Sequence, residues 1–187
     1  MPQVAASLRL DYALLGLLHQ EPRSGYALRK LFATTPLAHF SDSPGSIYPA
    51  LRRLERQRLV RAISGSHTRR PKQIYQLTDA GVAELQKWAS LAVTRDEVIG
   101  RDGVMLRFVF VEQVLGPRAA LTFLRQLERV LDEYVPELEK YYSGAAGKMQ
   151  PGARLALKSG VDGYRALRKW SRDAIDQFAT LVSDAPS

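Results

Sequence analysis

The stretch that decides the fold is SPGSIYPALRRLERQRL, residues 43–59. Within it Ile47, Leu51 and Leu54 recur at i, i+4 and i+7, which predicts a helix with one apolar stripe facing a core. The other side of this helix is strongly basic, with four arginines and a single acid: Arg52, Arg53, Arg56 and Arg58 against Glu55. The stretch therefore predicts a basic amphipathic helix.

Two prolines complicate the start of this helix. Ser43 followed by Pro44 resembles an N-cap with proline at the first helical position. A start nearer Ser46 would instead place Pro49 at the end of the first turn, where its missing N–H costs little. In either case the free amides at the helix N-terminus point outward and suit a phosphate group.

Two helices are predicted upstream of the basic helix. Residues 8–19, LRLDYALLGLLH, read as a mostly buried helix, because apolar residues occupy most of its positions. Ser24 is a candidate N-cap for a second helix, GYALRKLFA. Residues 34–42 lack a clean period and contain Pro36, which favours a turn or a short helical piece.

Downstream of the basic helix the pattern changes to strands. Residues 59–64 and 72–78 are rich in β-formers and flank a basic turn, GSHTRRP, which predicts a β-hairpin. Thr78 is a candidate N-cap for a further helix that carries Val82, Leu85 and Trp88 at helical spacing. Helices followed by a basic helix and a basic hairpin indicate a winged helix-turn-helix.

The second half of the chain reads as helices only. Residues 103–115 are apolar nearly all round, and a long amphipathic helix starts at Pro117, with a kink or break expected at Pro136. A loop is predicted over 143–152, followed by a helix from Ala153 to about Val182. We expect a winged-helix domain over residues 1–92 and a helical domain over 93–187. The apolar stripe of the last helix forms either a dimer interface or part of its own domain's core: Leu157, Val161, Tyr164, Leu167, Phe178 and Leu181.

The composition is that of an ordinary globular protein. The 187 residues are 45% hydrophobic and 25% charged, and no apolar run approaches the roughly 20 residues that span a bilayer. The absence of cysteine excludes disulfides and thiolate metal sites, and fits a cytoplasmic protein. His19, His39 and His67 do not have the spacing of metal ligands, so no cofactor is predicted.

The net charge of +8 is concentrated in the first half of the chain. Residues 1–90 hold 13 Lys and Arg against 6 Asp and Glu, whereas residues 91–187 hold 14 against 13. Between Arg52 and Lys72 there are eight basic residues and one acid. Such a concentration favours a polyanionic partner, either nucleic acid or an anionic membrane, although a solvated surface is the simpler alternative.

The first half resembles the PadR family of bacterial transcriptional regulators over about residues 8–90. The resemblance lies in DYALLGLL (11–18), SGYALRKLF (24–32), GSIYPALRRLERQRLV (45–60) and IYQLTDAG (74–81). It implies a homodimeric repressor that binds double-stranded DNA, not a membrane, and responds to a small-molecule effector. It also implies that the third helix enters the major groove. One departure is Arg58, which stands where the family usually has glycine.

The resemblance also implies which residues contact DNA. On the DNA-facing side of the third helix these are Ser46, Tyr48, Pro49, Arg52, Arg53 and Arg56, with Tyr26 on the second helix and Arg69, Arg70 and Lys72 in the wing. Arg52 and Arg53 are candidates for reading guanine, although most arginine contacts go to phosphate. Arg56 suits a phosphate contact or a solvent-exposed position better, and the wing cations suit phosphate or minor-groove contacts.

Several alternatives stay open at this level. Trp88, Trp170, Tyr141 and Tyr142 could line an effector pocket or form a hydrophobic interface. The acids Asp132, Glu133, Glu137 and Glu139 indicate a solvated ion-pair face with Arg125, Arg129 and Lys140, rather than acid–base chemistry. No phosphate-binding or nucleophile motif supports an enzyme. A winged-helix module for protein assembly or nonspecific nucleic-acid packaging remains the competing function.

Overall fold

The computed structural model describes residues 2–35, 37, 45–64, 73–100 and 102–184, with the backbone alone for residues 2–8, 64 and 102. The chain forms two compact units, Met1–Ala89 and Ser90–Ser187, which divide slightly before the expected boundary after residue 92. None of the helices in the described ranges is both long enough and apolar enough to cross a membrane.

The described residues of the N-terminal unit form four helices and three strands. They are α1 (Pro2–Gln20), β1 (Arg23–Ser24), α2 (Gly25–Thr34), α3 (Ile47–Arg56), β2 (Val60–Ser64), β3 (Gln73–Leu77) and α4 (Asp79–Ala89). The predicted helix 8–19 is therefore right in kind but starts earlier, at Pro2. Ser43 and Pro44, the first candidate start of α3, lie outside the described residues. The helix begins after Ser46, so Pro49 falls within the first turn, as the second candidate start predicts.

The predicted hairpin is confirmed, and a third strand joins it. Strands β2 and β3 pair antiparallel, with Val60 opposite Leu77, and β1 pairs with the other edge of β3, giving the order β1-β3-β2. The sequence analysis missed β1 because two residues carry no strand pattern of their own. The ladder places Tyr75 of β3 opposite Arg23, and the Tyr75 side chain is buried.

The core of the N-terminal unit lies where α1 meets α3, α4 and the sheet. Its fully buried side chains include Leu14, Leu15, Leu28, Ile47, Leu51, Leu54 and Leu85. Helix α1 supplies several of them because apolar residues cover most of its surface between Leu10 and Leu18. This packing fixes which face of α3 is left exposed.

The described residues of the second unit form helices joined by short connections, with no strand. It comprises α5 (Arg95–Ile99), α6 (Asp102–Leu115), α7 (Pro117–Ala145), a 3-10 turn (Ala146–Lys148) and α8 (Pro151–Asp184). Helix α5 was not predicted; it is one turn long, and Thr94 caps it by accepting a hydrogen bond from the Glu97 amide at 3.3 Å. The predicted loop over 143–152 is wrong for most of its length, because the flanking helices extend into it.

Helix α7 does not break at Pro136, contrary to the expected interruption. A proline removes one backbone hydrogen bond, yet Leu131 and Val135, in the turn before it, are both fully buried. Packing of this face against α6 and α8 stabilises the continuous helix. The proline itself lies on the exposed side.

Much of the proposed dimer stripe on α8 packs inside its own unit. Val161 and Tyr164 are buried, and the Tyr164 hydroxyl donates a hydrogen bond to the Ile99 carbonyl at 2.9 Å. Phe178 meets Phe108 of α6 edge to face, with ring centroids 5.9 Å apart. The fold-back interpretation is therefore correct for these three residues, whereas Leu157 and Leu167 are half-buried and Leu181 is exposed.

Candidate nucleic-acid interface

Helix α3 separates an apolar face from a basic one. The buried face consists of Ile47, Ala50, Leu51 and Leu54. Tyr48, Pro49, Arg52 and Arg56 are exposed, and Ser46 is half-buried at the N-terminus of the helix. The structure thus brings together, on one side of one helix, five of the six residues assigned to α3 by the resemblance.

The first turns of α2 and α3 meet through a glycine. A Cβ atom on Gly25 would lie 2.7 Å from Cε1 of the Tyr48 ring, so a larger residue here would require that ring to shift. The neighbouring Tyr26 is 59% exposed, and the Arg29 guanidinium lies over its ring at 5.5 Å. Ser24 caps α2 as predicted, accepting a hydrogen bond from the Ala27 amide at 3.2 Å. Tyr26 and Tyr48 therefore belong to adjoining exposed surfaces.

Arg52 and Arg56 are exposed cations on this surface. Within the described ranges neither makes an ion pair or a side-chain hydrogen bond. An unpaired exposed guanidinium retains all five N–H donors for an external acceptor such as a phosphate or a guanine edge.

Arg53 differs from Arg52 and Arg56, because it has an acidic partner within the protein. Its Nε donates to Asp11 Oδ2 at 2.9 Å and its Nη2 to Asp11 Oδ1 at 2.5 Å, a bidentate pair between α3 and α1. The Arg53 side chain therefore extends toward α1, whereas that of Arg52 is exposed. The guanidinium edge formed by Nε and Nη2 is therefore occupied inside the protein.

The predicted wing cations Arg69, Arg70 and Lys72 lie outside the described residues. At the described end of the wing, Arg61 of β2 donates from Nη2 to Gln76 Oε1 of β3 at 3.0 Å, across the directly opposed pair of the ladder. This side-chain bridge adds to the backbone ladder at the base of the hairpin.

Comparison with known families identifies this arrangement. The model of the transcriptional regulator PadR-like family matches residues 14–87, which run from α1 through the hairpin into α4. The chain belongs to the PadR-like family of transcriptional regulators. The resemblance on which the sequence analysis relied is thereby confirmed.

PadR-like relatives are similar over different shares of their length. The negative transcriptional regulator PadR of Bacillus subtilis is 31% identical over 123 residues, which are 64% of this chain and 66% of that protein. A probable transcriptional regulator of Mycobacterium tuberculosis is 33% identical over 43% of each chain. The crystal structure of Bacillus subtilis PadR in complex with operator DNA is 23% identical with a TM-score of 0.43, over 89% of this chain and 97% of that one.

The departure of this chain from the PadR-like pattern is visible at the end of α3. Arg58 has a φ of +60°, the left-handed conformation that glycine adopts most easily. Its amide donates to the Glu55 carbonyl at 2.9 Å, and the Leu59 amide donates to the Leu54 carbonyl at 3.0 Å. These two bonds form a Schellman motif. Arg58 thus accepts backbone strain at a position that ends the helix and carries an exposed cation.

The PadR-like motif Tyr-x-Leu-Thr-x-x-Gly connects the wing to α4. The Thr78 hydroxyl donates to the Arg58 carbonyl at 2.7 Å and accepts from the Gly81 amide at 3.1 Å, which confirms Thr78 as the cap of α4. A Cβ on Gly81 would lie 2.0 Å from the Leu59 carbonyl oxygen. Only glycine therefore allows α4 to approach the chain at the end of α3.

A polar cluster behind α3 was missed by the sequence analysis. The Tyr12 ring stacks on Trp88 with centroids 4.4 Å apart, and its hydroxyl donates to Glu84 Oε1 at 2.9 Å. Burial and the nearby carboxylate of Glu84 raise the pKa of the Tyr12 hydroxyl to about 12, so it remains a donor. The cluster borders a cavity of about 270 Å³ that reaches Asp11 and Gln57. Trp88 therefore packs against Tyr12 within the N-terminal unit.

The aromatic residues of the helical unit divide between core and surface. Trp170 meets Phe108 edge to face with centroids 5.4 Å apart, whereas Tyr141 is exposed beside a shallow depression that Glu137 also lines. Among the described residues no group of three or more potential ligands is placed to hold a metal ion. His39 and His67 lie outside the described ranges.

Proposed function

We propose that this PadR-like regulator is a homodimeric repressor that binds operator DNA through α3. One observation carries the proposal: the exposed side of α3 holds Arg52 and Arg56, which make no ion pair with any described residue, while its apolar side is packed into the core. A helix held in this way is rigid enough to enter the major groove of B-DNA, which is about 12 Å wide. The protein acts on cytoplasmic DNA and has no catalytic role.

Within this proposal the exposed residues have different roles. Arg52 reads a guanine through its O6 and N7, because it lies in the middle of the exposed face of the helix. Arg56 and the wing cations Arg69, Arg70 and Lys72 contact phosphates and fix the register without specifying sequence. Ser46, Tyr48 and Pro49 at the start of α3, with Tyr26 on α2, approach the sugar–phosphate backbone beside the groove.

Repression rather than activation is supported by the Bacillus subtilis relative, which is named a negative transcriptional regulator. That protein is 31% identical over 64% of this chain. Dimerisation is assigned to the helical unit. Val161, Tyr164 and Phe178 pack inside the unit. We therefore assign the dimer interface to exposed apolar residues of the helical unit: Val109, Leu155 and Leu181. A two-fold dimer binds two half-sites about 10 bp apart. As the family resemblance implies, a small effector changes operator affinity by favouring one dimer geometry over another.

Selection from random duplex DNA tests the proposal. Purified full-length protein at physiological salt is expected to enrich a two-fold-symmetric motif with half-sites about one helical turn apart. Binding without an enriched motif would instead indicate nonspecific packaging or an assembly role, and would overturn the repressor proposal. The enriched duplex then allows effectors to be screened, since an effector must change the measured dissociation constant of that complex.

A further inference from the structure

The pair formed by Asp11 and Arg53 is the one buried carboxylate contact to a cation of α3 in the described part of the chain. The Asp11 side chain is 12% exposed and that of Arg53 is 32% exposed. Asp11 lies in a helix that is otherwise apolar from Leu10 to Leu18, and the two partners are 42 residues apart in sequence. A carboxylate in such a position requires a physical reason.

Stabilisation of the fold is a weak reason. Burial raises the pKa of the Asp11 carboxyl above its ordinary value, and the hydrogen bonds and charge of Arg53 offset only part of that rise. The charged form of Asp11 is therefore disfavoured in the folded protein despite its partner. Partly buried ion pairs of this kind contribute little net stability, because removing both charges from water offsets their attraction.

The geometry gives a better reason. Arg53 follows Arg52 directly, on a helix that this protein presents to DNA. Without Asp11, the guanidinium of Arg53 would be a mobile cation at the edge of the basic face, able to reach any phosphate. The bidentate contact neutralises that charge and fixes the side chain against α1.

We propose that Asp11 is a positioning residue for sequence selectivity: its bidentate contact holds Arg53 away from DNA phosphates, so that α3 binds through Arg52. This inference rests on the proposed DNA-binding function and adds to it a residue outside the recognition helix. Sequence-independent affinity comes almost wholly from phosphate contacts, so restraining one cation per subunit lowers nonspecific binding more than specific binding.

Salt dependence provides a measurement that a merely structural role would not change. The slope of log affinity against log salt is measured for the selected operator and for an unrelated duplex. Each added phosphate contact steepens the slope by roughly 0.9. Asp11→Asn is expected to steepen it by about that amount per subunit, to raise affinity for unrelated DNA several-fold and to lower the specificity ratio. Arg53→Gln, and the double variant, are expected to keep the slope of the wild type.

Asp79→Asn is the matched control, since it removes one exposed acid of the same unit and changes the net charge equally. It is expected to leave the slope unchanged. An unchanged slope for Asp11→Asn, or a shallower one for Arg53→Gln, would overturn the inference while leaving a specific wild-type protein intact. Arg53→Gln keeps the inference testable should Asp11→Asn fail to fold. A wild-type protein that binds both duplexes equally would overturn the proposed function, and the inference with it.

Discussion

The two units of this protein use arginine in opposite ways. In the helical unit the exposed arginines of α8 pair with acids of α7: Arg165 with Glu139 at 2.5 Å, and Arg172 with Asp132 at 2.6 Å. In the N-terminal unit Arg52 and Arg56 stay exposed, and among the described residues Arg53 is the one α3 arginine with an acidic partner.

The two halves hold similar numbers of basic residues, 13 and 14, but residues 91–187 hold 13 acids against 6 in residues 1–90. The acids of α7 were expected to pair along their own helix with Arg125, Arg129 and Lys140. Their observed partners come instead from α8 and, for Glu137, from Arg95 of α5. Charges in the second unit thus cross-link helices, whereas Arg52 and Arg56 on α3 remain available to an external polyanion.

Arg107 of α6 differs from both groups of arginines, because its side chain is buried. This side chain is 1% exposed, donates from Nε to Glu97 Oε1 at 3.0 Å and also donates to the Leu91 carbonyl. We expect Arg107→Met to lower the free energy of unfolding by about 3–5 kcal/mol, because it removes a fully buried cation and leaves the half-buried Glu97 carboxylate and the Leu91 carbonyl without their donor. Arg165→Met, which breaks an exposed pair, is expected to change it little. Urea denaturation followed by circular dichroism measures both, and equal losses would contradict the distinction.

Two glycines, one in each unit, are also expected to respond differently to substitution by alanine. Gly81→Ala is expected to cost about 1–3 kcal/mol, because the added Cβ collides with the Leu59 carbonyl oxygen and backbone must move. Gly144→Ala in α7 meets no atom within 4 Å and is expected to gain about 0.5–1 kcal/mol through helix propensity. Thermal unfolding of the two variants gives the signs. If Gly81→Ala does not lower stability, α4 does not approach the end of α3 as closely as described.

At the end of α3, the same substitution to glycine is expected to have opposite effects on stability at two positions. Arg58→Gly is expected to stabilise the protein by about 1 kcal/mol, because it relieves the left-handed backbone strain. Arg56→Gly, which removes the same charge two residues earlier in the helix, is expected to destabilise it by about the same amount. Chemical denaturation of both variants tests this, and destabilisation by Arg58→Gly would show that the strain is negligible.

The smallest expected difference concerns pH. Burial raises the pKa of the Asp11 carboxyl, so its contribution to stability is present below its unfolded pKa and is lost as pH rises through the folded value. A hydrogen bond from Lys158 lowers the pKa of Asp162, whose contribution is present above the unfolded pKa and is lost as pH falls through the folded one. Carboxyl NMR titrations, assigned with Asp11→Asn and Asp162→Asn, should show opposite shifts. If the pKa values of Asp11 and Asp162 shift in the same direction, the contrast between a buried carboxyl and an exposed, hydrogen-bonded one is refuted.

The sequence was sufficient for features that depend on neighbours along the chain. The apolar period of α3, the caps Ser24 and Thr78 and the hairpin strands are all local, and each is confirmed. The strain at Arg58 was also foreseeable, because one residue must adopt a positive φ to end the helix there.

Features that depend on distant contacts were missed. Strand β1 exists only because β3 pairs with it, and Asp11 finds its partner 42 residues away. The expected break at Pro136 was wrong because packing with other helices compensates for one lost hydrogen bond. A signal for Asp11 was nevertheless present: a single carboxylate in an apolar helix requires a partner, and α3 was the most basic helix predicted in this half.

Arg52→Ala tests the central claim, that the exposed face of α3 reads DNA, most directly. Its affinity is measured on the selected operator and on an unrelated duplex, beside Arg172→Ala as a control from the ion-pair face of α8. The account predicts a loss of about 1–3 kcal/mol per half-site on the operator, a much smaller loss on unrelated DNA, and no change for Arg172→Ala. Equal weakening of both duplexes by Arg52→Ala, or no weakening at all, would contradict it.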